Sequence, residues 1–129
     1  MQLKSFRSFL NEQSANNNVT ALVSRTDMPQ FDDDLLDKAK NYFGYDLVDL
    51  SKGEVTSLRT VQHHLDLEKV NRINKFDKPI VTSSDDHIVD GNHRAAAFVL
   101  SKSAPETISA VRLNADVISI LAWSKQDDQ

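Results

Sequence analysis

Ile88-Val89-Asp90-Gly91-Asn92-His93-Arg94-Ala95-Ala96-Ala97 sets a carboxylate, a glycine, an imidazole and a guanidinium side by side, where an apolar run ends and a run of helix formers begins. A helix that starts here offers free backbone N–H groups and a partial positive charge at its first turn, and Arg94 adds a planar fork of donors that fits phosphate. His93 and Arg94 in a first turn oppose the helix dipole, so a bound anion is their natural counterweight. Asp90 is the group that would hold a magnesium ion or a substrate hydroxyl. The same residues also have a plain reading: Asp90-Gly91 as a tight turn, Asn92 as a helix cap, and His93 and Arg94 as a solvated first turn.

Upstream stand Lys78-Pro79-Ile80-Val81-Thr82 and a Ser84-Asp85-Asp86 turn. With them, Asp90-Gly91-Asn92-His93-Arg94 resembles the signature hairpin and helix of the ParB/sulfiredoxin superfamily, especially its phage ParB-like nuclease domains. Leu58-Arg59-Thr60-Val61-Gln62, followed by Leu67-Glu68-Lys69-Val70, is similar to the segment that precedes a helix in those domains, and Asp27-Met28-Pro29-Gln30 is similar to their start. The resemblance spans roughly residues 25 to 115. It implies a phosphate cradle in which Gly91 allows close backbone approach and Asn92, His93, Arg94, Arg59 and Gln62 contact a nucleotide or nucleic-acid phosphate. By the same resemblance Asp90 is a metal or substrate contact, Glu68 or His93 moves a proton, and the cofactors are ATP or CTP with Mg2+. Two departures narrow it. Asn92 stands where the phage domains have histidine and sulfiredoxins their catalytic cysteine, and the chain has no cysteine, so thiolate chemistry is excluded. Asn92-His93-Arg94 also lacks the glutamate of the Glu-Arg-Arg version that surrounds CTP in partition proteins.

At 129 residues with 40% hydrophobic content the chain can bury one core, not two. The absence of cysteine removes disulfides and thiolate zinc sites. A formal charge of −4 argues against nonspecific coating of nucleic acid. No apolar run approaches transmembrane length, and the first residues lack the apolar centre of a secretory signal, so a cytoplasmic protein without membrane contact is expected.

Elements that must position the site follow from periodicity. Residues 2 to 12 place Leu3, Phe6 and Leu10 on one face of a short helix, Asn16-Asn17-Asn18 breaks it, and Val19 to Ser24 reads as a strand. Phe31 to Phe43 predicts a helix with Asp32-Asp33-Asp34 at its front, Leu35, Leu36, Ala39, Tyr42 and Phe43 inward, and Gly44 as its stop. Residues 47–50 and 55–58 read as extended segments around Lys52-Gly53. A helix over 66 to 75 turns Val70, Ile73 and Phe76 inward, with Leu65 before it. Strands over 79 to 83 and 87 to 90, a helix from 92 to about 102, a β-branched strand from Thr107 to Leu113 and a last helix capped by Asn114 complete the order. The expected fold is a compact α+β domain over 19–129 with a small mixed sheet, preceded by residues 1–18 as helix and loop. His63-His64 point in different directions on any regular element, so a shared metal is not their obvious role; they are loop residues or, by the resemblance, nucleotide contacts.

Met1 to Glu12 resembles the capsid-targeting leaders of T4-type phage internal head proteins, which end in a Leu-x-Glu or Ile-x-Glu cleavage site; Leu10-Asn11-Glu12 fits it. That resemblance implies processing at Glu12, packaging in the phage head and delivery to the host, against the plain alternative of a docking helix. Three functions compete: metal-dependent phosphodiester hydrolysis or phosphoryl transfer, a module that grips a nucleotide or DNA phosphate without turnover, and a protein that binds and inhibits a host defence protein.

Overall fold

The computed structural model describes Phe6 and residues 31–60 and 65–127. The expected strand at 19–24, the Met28-Pro29-Gln30 segment, the processing site at Glu12, Gln62 and His63-His64 lie outside them, as does the 2–12 helix apart from Phe6. Ten elements follow: α1 Asp33–Phe43, β1 Tyr45–Ser51, α2 Lys52–Ser57, β2 Arg59–Thr60, α3 Leu67–Arg72, β3 Ile80–Thr82, β4 His87–Asp90, α4 Asn92–Leu100, β5 Thr107–Leu113 and α5 Val117–Asp127. The chain is an α+β fold with, among the described residues, a five-stranded mixed sheet ordered β1-β5-β3-β4-β2. β5 pairs antiparallel with β1 and parallel with β3, β4 pairs antiparallel with β3, and β2 lies parallel to β4.

Side chains of the central strands alternate between two cores, and both faces are covered, which is why these strands read as near-continuous apolar runs. Ile80, Ile88, Ile108 and Ala110 pack with Val55 of α2, Val70 of α3, Ala95 to Phe98 of α4, and Phe6. Val81, Val89, Val111 and Leu113 pack on the other face with Ala39 of α1 and Val117, Ile120 and Leu121 of α5. Three successive alanines let α4 lie close on the sheet, and all three are buried. No helix among the described residues is long and apolar enough to cross a membrane.

Local chemistry explains where the helices begin. Asp32 caps α1, its carboxylate accepting from the Leu35 amide at 2.8 Å, with Asp33 and Asp34 in the first turn, as the acid run predicts. Val55 to Leu58 departs from expectation: it is not a strand, and 52–57 is helical. Ser51 and Glu54 form a reciprocal capping box, with the Ser51 hydroxyl accepting from the Glu54 amide at 3.2 Å and the Glu54 carboxylate from the Ser51 amide at 3.0 Å. These bonds outweigh the β preference of Val55 and Thr56. Asn114 does not cap α5. Its amide donates to Gly44 O, continuing the line of β1–β5 pairing, and the capping acceptors are the Asp116 carboxylate, bound by the Ser119 amide at 2.8 Å, and the Asp85 carboxylate in the β3–β4 turn, bound by the Val117 amide at 3.0 Å. Tyr42 is not inward: it is 68% exposed, stacked on Trp123 at 5.7 Å between centroids. Leu36 and Phe43 pack on the core while Leu35 stays half-buried. α3 is shorter than the 66 to 75 expected, stopping at Arg72, yet Leu65 and Val70 are buried and Ile73 and Phe76 pack on the same core. α4 likewise ends at Leu100 instead of about 102.

Candidate functional site

β4 ends at Asp90, and Gly91 turns the chain into α4 with φ +89°, a left-handed conformation that side-chain-bearing residues rarely adopt. Asn92 is therefore not the cap expected of it. It is the first helical residue, the position before it is the glycine, and no side chain caps α4. The Asn92 side chain turns inward instead: it is 3% exposed, and its Oδ1 accepts from the Thr60 hydroxyl at 2.8 Å, tying α4 to β2. No acidic residue stands in the first turn of α4, which carries His93 and Arg94 there. An uncapped helix start with basic side chains is electrostatically suited to an anion.

The five residues of the turn do not point at one spot. His93 faces α3, its Nε2 accepting from the Asp66 amide at 3.1 Å, which places the proton of the neutral ring on Nδ1. Arg94 crosses over Gly91 and donates through Nη1 to Pro79 O at 2.8 Å. Beside it lies a cleft of about 210 Å³ lined by Asp90, Arg94, Lys78 and Pro79 on one side and by Phe31, Asp32 and Asp33 at the start of α1 on the other. The starts of α1 and α4 thus flank the same opening. Asp90 is mostly enclosed. Burial pushes its carboxyl above the ordinary range, against the opposing pull of the Arg94 guanidinium, the Gly91 and Phe31 amides and the Lys69 ammonium.

Folding therefore favours the protonated form of Asp90. Its contribution to stability is fully present below the ordinary carboxyl range and is lost as pH rises through its raised native value. Asp90→Asn keeps an acceptor for the two amides and removes the charge. Denaturant unfolding of both proteins from acid to neutral pH should show Asn gaining on Asp as pH rises, and a difference independent of pH would refute the assignment.

Glu68 and Arg59 stand apart from the cleft. Both are exposed, and Glu68 pairs with Arg72 at 3.5 Å on the outer side of α3. Lys78 and Thr60 lie beside the turn, within the Lys78-Pro79-Ile80 and Leu58 to Gln62 segments that carry the resemblance, whereas Asp66 and the start of α1 are neighbours that sequence reasoning did not place there. Those two reach the turn only through the tertiary fold. Among the described residues no group of three His, Cys, Asp or Glu side chains is arranged to hold a metal ion. Magnesium is commonly held by one or two carboxylates completed by substrate phosphates, and Asp90 beside Asp32 and Asp33 fits that partial role.

No family model matches the chain, and neither the curated proteins nor the solved structures contain a match to it.

Proposed function

We propose that the β4–α4 turn binds the phosphate end of a nucleotide or nucleic acid in the manner of the ParB-like domains its sequence resembles. The observation that carries this reading is the start of α4: a left-handed glycine, no capping side chain, no acid in the first turn, and Arg94 beside Lys78 at a cleft. Arg94 and Lys78 line the cleft and offer donors and positive charge to a resident phosphate, while Gly91, packed against Ile80 and Arg94 Nη1, makes the turn that carries Arg94 there. The cleft is smaller than the roughly 300–1,000 Å³ of pockets that bury a whole small ligand, so it takes the phosphate and leaves a base outside. Asp32, Asp33 and Asp90 on its walls favour a phosphate that arrives with a cation over a bare one.

When bound, magnesium would neutralise phosphate charge and would be held by Asp90. This chain's own residues supply the rest: Arg94 orients the phosphate, Lys78 adds charge, and His93 fixes α4 against α3. A proton-transfer role for His93 requires Nε2 to give up the Asp66 amide, and Glu68 is turned to solvent, so binding is better supported than turnover.

ATP or CTP with Mg2+ should raise the melting temperature of the protein, and pyrophosphate with Mg2+ should do the same. Arg94→Ala should weaken binding roughly 10- to 100-fold, since a hydrogen bond to a charged group contributes about 1.5–3 kcal/mol. Unchanged melting with every nucleotide would overturn the reading. The hydrolytic form of the proposal requires plasmid nicking that depends on a divalent ion and stops in Asp90→Asn. Nicking that persists in that variant moves the chemistry elsewhere.

A further inference from the structure

We infer that Phe6 is a positioning residue for the phosphate site: it holds Leu58, and through β2 and the Thr60–Asn92 hydrogen bond it sets the start of α4. The inference rests on the phosphate reading for its effect on binding, while its structural half needs no ligand.

Phe6 has no exposed surface and shares a core with Val55, Leu58, Val70 and Ala95. Its amide donates to Leu58 O at 2.6 Å, so main chain and side chain are both engaged. Burial of a whole aromatic ring makes this contact an anchor.

β2 needs one. Only two residues long, it pairs with β4 through Arg59 opposite His87 and Thr60 opposite Ile88. A strand that short has few ladder bonds of its own to fix its place. The chain entering it is held at two points: Phe6 grips the Leu58 carbonyl, and the Arg59 amide donates to Asp86 O at 2.8 Å.

What β2 brings to the site is a hydroxyl. Thr60 and Asn92 are each 3% exposed, the Thr60 hydroxyl donates to Asn92 Oδ1 at 2.8 Å, and Asn92 is the first residue of α4. A displaced Thr60 leaves a buried amide oxygen without its donor, and Asn92 must move to find another. That movement carries Arg94, two positions on, away from Pro79 O and the cleft. Phe6 also precedes Glu12 in the chain, so a cut after Glu12 would leave the site dependent on a segment held only by noncovalent contact.

The test compares Phe6→Ala, Phe6→Leu, Thr60→Val and Val117→Ala in the isotopically labelled full chain, with circular dichroism confirming each fold. Val117 is buried on the opposite face of the sheet and serves as the core replacement that spares this path. Without ligand, the amide signals of Gly91, Asn92 and His93 should be displaced alike in Phe6→Ala and Thr60→Val, return close to their native places in Phe6→Leu, and stay put in Val117→Ala. Calorimetry with pyrophosphate and Mg2+ should show affinity lowered roughly 3- to 30-fold in the first two and kept in the others. The inference is overturned if Phe6→Ala leaves the three signals in place, if Val117→Ala displaces them equally, or if Phe6→Leu does not restore them. Should Phe6→Ala not fold, Phe6→Val takes its place and must displace the same signals. If the native protein binds no pyrophosphate, the phosphate reading falls while the amide spectra still decide the role of Phe6.

Discussion

Gly91→Val should lower the stability of the folded chain by about 2–5 kcal/mol, combining the left-handed backbone cost with overpacking. A Cβ at this position would meet Arg94 Nη1 at 2.9 Å, Ile80 Cγ2 at 3.0 Å and Ile80 Cα at 3.2 Å. The first neighbour is the end of a long side chain, but it is held by Pro79 O; the last is backbone and can move only by displacing β3 from the sheet. The conformation is unfavourable as well, since φ is +89°. Thermal unfolding read by circular dichroism should fall by roughly 10 °C, and nucleotide binding should fall with it because Arg94 is pushed from its seat. A Gly91→Val protein that melts with the native one would show that Gly91 is not held against Ile80 and Arg94.

Phe98→Ala should cost about 3–5 kcal/mol, a large share of the roughly 5–15 kcal/mol that holds a small domain together. Phe98 is wholly buried, meets the edge of Phe76 with centroids 6.1 Å apart, and lies beneath the Lys52 ammonium at 6.0 Å. It sits one helical turn beyond Arg94, so it also fixes the angle at which α4 presents its first residues. Urea unfolding gives the cost directly. A loss below about 1 kcal/mol would mean that the neighbouring chain collapses into the space, and the measured penalty separates that relaxation from a retained cavity.

The start of α1, the Thr107–Leu113 strand and the break at Gly91 were legible because each is dictated by neighbours in sequence: a carboxylate reaching an amide three residues on, a β-branched run, a glycine after a strand. The α2 helix was legible too, in Ser51-Lys52-Gly53-Glu54, but β-branched Val55 and Thr56 drew attention from the capping box. What could not be read locally was direction. Asn92 suits a cap by type, yet Thr60, thirty-two positions earlier, takes its side chain. His93 and Arg94 are adjacent in sequence but point to Asp66 and Pro79 on different elements. Tyr42 falls on the inward arc of α1 and still lies outside, because the helix covers only part of the sheet and the ring rests on Trp123 at its border. For the site, sequence named the turn and its charge; the second wall, from Phe31 to Asp33, is some sixty residues away and is brought there by packing alone.

The strand order has a consequence for how the chain is made. β5 sits between β1 and β3 in space, yet it is synthesised after both. Tyr45 must wait for Leu113 and Ile80 for Ala110. A growing chain that has not yet released residues 107–113 holds the two flanks of a sheet with no middle, each with an open apolar margin, during the seconds that translation of the remainder takes. Completion of the sheet is therefore gated by one late segment, and the nascent chain, more than the finished one, exposes those margins.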